Sequence, residues 1–393
     1  MFDPAAWRAV PFHFWSAAFF VFGCIVGSFL NVCIYRMPRG ESLVSPPSHC
    51  PHCQYSIPWY LNIPLFTWIF LRGKCAHCGA PISARYFLVE LVTGLAFLGS
   101  WLAVGHQSVW LALVYCLLLA GFIVATFIDL EHFIIPDEIT LGGMVAGFLC
   151  SLAVPSLHSG PDPLLTRLAQ LLSSSQQEAL NLHGPANPAR ALLQSALGIT
   201  IGSGTVYLIV RVGKLLFGRQ RVELDPGTKV VFTETGLILP DREIPFEELF
   251  YRKTDVVALH AKAVELIDRC YPAANVRLSP QKLLIGEDVL NPEDIPHMEV
   301  LTDEMILPRE AMGFGDVKFM GAIGAFLGWQ ATIFSLMVSS VIGAVAGVLF
   351  IALGKQEWSS RIPYGPYIAL AAIIWMFGGQ HLVEWWLAGG WLR

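Results

Sequence analysis

Six residues in this chain have types and positions that can do chemistry: four cysteines in two equal spacings and two aspartates at the edges of apolar runs. Cys50-Pro-His-Cys53 and Cys75-Ala-His-Cys78 are CxxC knuckles separated by 21 residues. Each knuckle sets two thiolates on one turn, and two knuckles complete a tetrahedral four-sulfur site that needs no further ligand. Such a closed zinc site is structural and folds a loop too small to hold a core. Two disulfides or four idle thiols are the competing readings. His49, His52 and His77 flank the thiols and could substitute as ligands, although four cysteines already suffice. Cys24, Cys33, Cys116, Cys150 and Cys270 read as small apolar fillers.

Asp129 closes the run VWLALVYCLLLAGFIVATFID, and Asp316 lies in AMGFGDVKFM at the mouth of another. Ionisable groups at membrane boundaries are costly, so a pair of them is a functional signal. Two carboxylates brought together can share a proton and activate a water, which is aspartic protease chemistry. An aspartate at a helix C-terminus opposes the helix dipole, so Asp129 is badly placed for a structural role. Asp316 has a bland reading as a helix N-cap, with Gly313 and Gly315 as loop glycines. Those glycines would also admit a substrate backbone closely. Lys318 could tune the charge of the site, but snorkelling to the headgroups is the favoured reading. Asp137, after Pro136, reads as the N-cap of the next helix, and Glu131 and His132 as interfacial residues.

The elements that must position these residues are membrane helices. Of 393 residues, 54% are hydrophobic and only 14% charged, and the mean hydropathy is +0.56. A net charge of −5 gives no electrostatic case for nucleic acid. Segments of about 20 apolar residues, enough to cross a bilayer, fall near 12–35, 86–104, 109–128, 139–155, 191–217, 316–330, 331–353 and 363–381. The sixth is short, and the division at 330–331 rests on Gly328-Trp329-Gln330, so seven or eight spans fit. The first lacks the basic start and cleavage site of a signal peptide. Arg36, Arg39, Arg72, Lys74 and Arg85 follow the first span, and Lys214, Arg219 and Arg221 follow the fifth. With Lys355 and Arg361 before the last, the positive-inside rule puts loops 36–85, 129–138, 218–315 and 354–362 in the cytosol. Both aspartates then face the cytosol, and a cytosolic cysteine loop disfavours disulfides. The predicted organisation is a first span (1–35), a zinc-binding loop (36–85), four spans (86–217) with an external loop (156–190), a cytosolic insert (218–310) and a C-terminal membrane part (311–393). The insert reads as β-rich, with one helix around 254–270. VFTETGLILPDRE, VRLSPQKLLIGED and VLTDEMILPRE hint there at a repeated hairpin.

GSFLNVCIYRMP (27–38), the two knuckles, NIPLFTWIFLRGKC (62–75), ISARYFLVELVTG (82–94), DLEHFIIPD (129–137), GFGDVK (313–318) and IPYGPYIAL (362–370) together resemble the type IV prepilin peptidases. These are integral-membrane aspartic leader peptidases of pilus and type II secretion systems. The likeness spans most of the membrane portion and the cysteine loop, not 218–310 or 156–190. Leu61 stands where relatives often carry Asp, and Phe87 where Pro is common. The resemblance implies that Asp129 and Asp316 are the catalytic pair and that Cys50, Cys53, Cys75 and Cys78 form the family's cytosolic tetracysteine loop. It implies a bacterial inner-membrane enzyme that cuts the basic leader of prepilins and pseudopilins, and whose other partners are pilus or secretion assembly proteins. It also implies N-methylation of the new N-terminus from S-adenosylmethionine, for which no glycine-rich nucleotide loop is visible. The leader would meet an acidic rim of Glu131, Asp137 and Glu138. Two rivals are a proton-relay transporter, which lacks clear inverted repeats or deep charges, and a non-catalytic membrane scaffold with a structural zinc loop.

Overall fold

Apolar sequence of helical length dominates the protein, and helices are what it forms. The computed structural model describes residues 11–158, 187–217, 219–240, 243–250, 255–308, 313–353 and 363–387. The long helices are α1 (Phe12–Arg36), α2 (Ala84–Val104), α3 (Val109–His132), α4 (Asp137–Ala153), α5 (Pro188–Phe217), α6 (Phe314–Ala352), α7 (Gly365–Ile374) and α8 (Gln380–Leu387). Among the described residues, six helical stretches are long and apolar enough to cross a membrane: Phe12–Arg39, Ala84–Val104, Val109–His132, Pro188–Leu215, Phe314–Ala352 and Gly365–Val383. Their outer faces expose Val21, Ile25, Phe29, Leu95, Leu117, Val341 and Val345, which hydrocarbon accommodates and water does not.

The eight predicted segments each have a helical counterpart, but three of them are not among those six as separate spans. α4 has only 17 residues, and 316–330 and 331–353 fall in one 39-residue assignment, α6. A straight helix of that length would rise about 58 Å, roughly twice a hydrocarbon core. Gly328 resolves the excess: its φ of 79° and ψ of 173° break the helix at the predicted Gly-Trp-Gln division. Most of the predicted 156–190 loop lies outside the described residues, as do Lys355 and Arg361. α1 packs on α2 through Gly23 and Gly27. A methyl added at Gly27 would lie 2.7 Å from Glu90 Cα, and one at Gly23 would lie 2.8 Å from Gly94 Cα. This is the small-xxx-small contact that lets membrane helices approach closely. Phe19, Ile34, Val89, Phe97 and Ile128 fill the space between these helices and α3.

Residues 207–313 form a separate compact unit. It is an eight-stranded antiparallel sheet in the order β3-β2-β1-β8-β4-β5-β6-β7. Its strands are β1 (Arg219–Thr233), β2 (Gly236–Ile238), β3 (Glu243–Pro245), β4 (Val257–Leu266), β5 (Cys270–Ser279), β6 (Lys282–Ile285), β7 (Asp288–Leu290) and β8 (His297–Pro308). The predicted β-rich character holds, but the helix around 254–270 does not: β4 occupies it. Ala, Lys, Glu and Leu favour a helix locally, yet Val257, Leu259, Ala261 and Val264 are all buried in the sheet core. Tertiary pairing with β5 and β8 overrides the local preference. Two of the three hairpin-like segments are hairpins, β1–β2 and β5–β6. Of the third, residues 300–308 run along the single strand β8, whose pairing with β1 is irregular between Glu223 and Thr228.

Candidate active site

Asp129 lies in the last turn of α3, and both the aspartate and its helix end are held. Phe133 takes a left-handed conformation (φ 55°) and donates its N–H to the Asp129 carbonyl at 3.0 Å. The side chain, 5% exposed, accepts a second bond: Gly365 N–H donates to Asp129 Oδ2 at 2.8 Å. Gly365 begins α7, so this N–H is one of the donors that a helix start leaves without an internal partner. A methyl at Gly365 would stand 2.8 Å from Oδ2, so close approach requires glycine here. The sequence motif containing Gly365 was visible, but nothing in it marked this glycine as the partner of Asp129.

Asp316, in the first turn of α6, is also buried at 8% exposure. Ile135 links the two neighbourhoods. Its Cβ lies 3.5 Å from where a Gly315 methyl would stand, and its Cδ1 lies 3.1 Å from the equivalent point on Gly365. One turn inward, Phe122 of α3 meets Phe319 of α6 edge to face at 5.7 Å. The C-terminal end of α3, the first turn of α6 and the start of α7 thus converge around Ile135. The Gly315 contact is an ordinary one, so internal packing alone does not demand glycine there.

The charged residues around this site differ from their sequence readings. Lys318 does not simply snorkel: its Nζ pairs with Asp137 Oδ1 at 2.6 Å and sits 5.3 Å from the Phe314 ring centre. Asp137 is not an N-cap but the first residue of α4, whose cap position is Pro136 without a side-chain bond. Glu131 pairs with Arg85. Two of the three predicted acidic rim residues therefore already have basic partners.

The cysteine loop is built from two equivalent brackets. Cys50 N–H donates to Tyr55 O and Gln54 N–H to Cys50 O, and Cys75 N–H donates to Ala80 O and Gly79 N–H to Cys75 O. Gln54 (φ 56°) and Gly79 (φ 73°) take the same left-handed position in each turn. All four sulfurs lie within 4.8 Å of one another, and Cys50 Sγ is 3.8 Å from Cys78 Sγ. That is the edge of a tetrahedron with metal–sulfur bonds of about 2.3 Å. No cysteine in the chain is in a disulfide, and the flanking histidines are not in the cluster. His77 instead stacks on Tyr55 with ring centres 5.0 Å apart. Backbone N–H donors of Cys78 and His77 pull the Cys75 thiol down to about 6. At Cys53 the Tyr55 backbone N–H acts in the same direction, but desolvation and the other three thiols outweigh it and push the thiol up to about 12. Four thiolates cannot coexist here without a cation, and this donor set suits one.

Residues 21–104 match the Bacterial Peptidase A24 N-terminal domain, and residues 294–348 match the Type IV leader peptidase family. A protein of Aeromonas hydrophila named prepilin leader peptidase/N-methyltransferase is 27% identical over 97% of this chain and 96% of its own. One of the same name from Myxococcus xanthus is 40% identical over 51% of this chain and 56% of its own. A type 4 prepilin-like protein leader peptide-processing enzyme of Escherichia coli is 45% identical over 34% of this chain and 56% of its own. No solved structure matches the chain.

Proposed function

This chain belongs to the type IV leader peptidase family, and from that premise we propose that it cuts the basic leader from type IV prepilins or pseudopilins with Asp129 and Asp316 as its catalytic pair. What supports this reading is that Asp129 and Asp316 are both buried and that their neighbours Gly365 and Gly315 both approach Ile135. The ionised carboxylate takes a proton from the attacking water while the protonated one donates to the scissile carbonyl oxygen. Water oxygen adds to the carbonyl carbon, the C–N bond then breaks, and the departing amine takes up a proton. Gly365 N–H, which donates to Asp129 Oδ2 at 2.8 Å, holds that carboxyl group in place for either role. The test is cleavage of a prepilin in detergent by Asp129→Asn and Asp316→Asn proteins. The amide of the first variant keeps an oxygen for Gly365 N–H, so a loss of rate reports chemistry rather than folding. Either variant cutting at the normal rate would sink the reading.

The site faces the cytosol of a bacterial inner membrane, on the distribution of Lys and Arg. Cys50, Cys53, Cys75 and Cys78 hold structural zinc; metal analysis giving well under one equivalent would end that claim. The cut prepilin is also N-methylated from S-adenosylmethionine, a reading supported by the two-activity name of its relatives. A basic leader competes for Glu131 and Asp137 with Arg85 and Lys318 and finds Glu138 exposed.

A further inference from the structure

Between the two knuckles runs NIPLFTWIFL (62–71), apolar except at Asn62 and Thr67 and, at ten residues, too short to cross a bilayer. Runs of this length suit an interfacial or re-entrant segment. Phe66–Phe70 makes one helical turn that divides its side chains. Trp68 packs on Phe87 of α2 with ring centres 5.1 Å apart. Phe66 and Phe70, 65% and 73% exposed, stack on each other at 6.1 Å, and Ile69 is exposed beside them. Trp59 and Tyr60 are exposed just upstream. This turn is tied at membrane depth. Leu65, at its cap, donates its N–H to Glu90 Oε2 at 2.7 Å. Glu90 lies six residues into α2, about 9 Å from the helix start. Its Cα stands 2.7 Å from where a Gly27 methyl would be, and Gly27 is nine residues short of Arg36, the end of α1. Both helices are spans by length and composition, so the tether point lies inside them rather than beyond their ends. The backbone is also ready for a dry setting. The N–H groups of Phe66, Thr67, Ile69, Leu71, Arg72 and Gly73 all find carbonyls between Ile63 and Ile69. Irregular backbone survives among lipid only when its polar groups are satisfied internally.

We propose that residues 59–71 dip into the bilayer leaflet on the cysteine-loop side, with Phe66, Ile69 and Phe70 among acyl chains and Trp59 and Tyr60 at the headgroups. Lipid is the occupant because the patch continues the lipid-facing surface of α1, where Ile25 and Phe29 are exposed. The flanking residues agree: aromatic side chains favour the interface, and exposed Arg72 and Lys74 follow where the segment leaves it. A carboxylate in an apolar run is costly, and the dip gives Glu90 its purpose: it holds the Leu65 N–H and so sets the depth. The chain enters the dip after Cys53 and leaves it before Cys75, so the four-sulfur cluster closes its neck. The 21 residues between the knuckles are the length of that excursion.

The test reconstitutes the full chain in vesicles of phosphatidylethanolamine and phosphatidylglycerol that contain a phospholipid with a diazirine in its acyl chain. After irradiation, mass spectrometry locates the lipid adducts. The unaltered protein is expected to carry them at Phe66, Ile69 or Phe70 as well as at Phe29 of α1. Their yield should exceed that at the exposed Val289 of β7 by about tenfold or more. Glu90→Gln keeps an oxygen for Leu65 N–H and should leave the yield in 59–71 unchanged. Glu90→Leu leaves that N–H unpaired and should lower the yield about fivefold or more relative to Phe29. An unlabelled 59–71 beside a labelled Phe29 overturns the dip, and an undiminished yield in the Glu90→Leu protein overturns the tether. Protection of 59–71 by added prepilin, or by a higher protein-to-lipid ratio, gives the patch to substrate or to a second copy and overturns the proposal as well.

Discussion

In the cysteine loop every ligand lies between residues 50 and 78, and each pair is bracketed by the backbone of its own turn. At the aspartates the contacts join positions 129, 135, 315 and 365, and only packing of α3, α6 and α7 brings these together. The first site is local: four thiols lie within 4.8 Å of one another, a set that would saturate one tetrahedral ion and leave no position for substrate. The second is assembled from a distance, and its two buried carboxyl groups are the pair proposed for chemistry. Locality suits a part that only has to fold. Assembly from separate helices suits a part whose geometry must depend on the whole membrane unit, so that cutting begins only once that unit is complete.

The sharpest break between the two regions is expected from their central residues. Asp129→Asn and Asp316→Asn should each lower the cleavage rate by about 10³-fold or more, and the double variant should be hardly worse than either. Multiplying losses in a single-turnover assay would mean that the two act independently. Cys75→Ser should act the other way. It should release the metal and expose 40–83 to limited proteolysis, because binding energy of about 10 kcal/mol or more is folding energy in such loops. Leader cleavage should fall by less than about tenfold, since the aspartates lie on other elements.

The same contrast explains what could be read in advance. The knuckles were legible because their ligand geometry is encoded in spacing alone, and the helices because a bilayer demands long apolar runs. The break in α6 was legible at Gly328-Trp329-Gln330, because glycine is the residue that tolerates φ 79° with ψ 173°. Ion pairs were not legible. Lys318 and Asp137 are 181 positions apart, and no local rule joins them. Nor could sequence show that Gly365 touches Asp129, because a backbone N–H leaves no residue-type signature. The strand Val257–Leu266 ran against its local signal for the opposite reason: helix-favouring residues pointed one way and sheet pairing overruled them.

Gly365→Ala probes how much of the aspartate site depends on precise approach. Its methyl would lie 2.8 Å from Asp129 Oδ2 and 3.1 Å from Ile135 Cδ1, so α7 or the carboxylate must shift. Displacements well under an ångström to about one ångström cost roughly ten- to a hundredfold in rate. The expected result is a fall of that size in kcat with KM little changed. An unchanged kcat would mean that the Gly365 contact does not set the geometry of Asp129.

The smallest effect is expected at Lys318–Asp137. The pair is close, at 2.6 Å, but Asp137 is 59% exposed. Exposed pairs contribute about 0–1 kcal/mol, because water screens the attraction and ordering two side chains costs entropy. Lys318→Ala should therefore lower thermal stability only slightly, and a double-mutant cycle with Asp137→Ala should return a coupling within that range. Its effect on cleavage should depend on the substrate: freeing Asp137 leaves an unpaired carboxylate beside the α6 start, which a basic leader can occupy. KM for a prepilin with a strongly basic leader should fall or hold, while KM for one with a neutralised leader should not improve. If both substrates respond alike, Lys318 acts on the aspartates themselves, and the pair belongs to the catalytic region rather than to its rim.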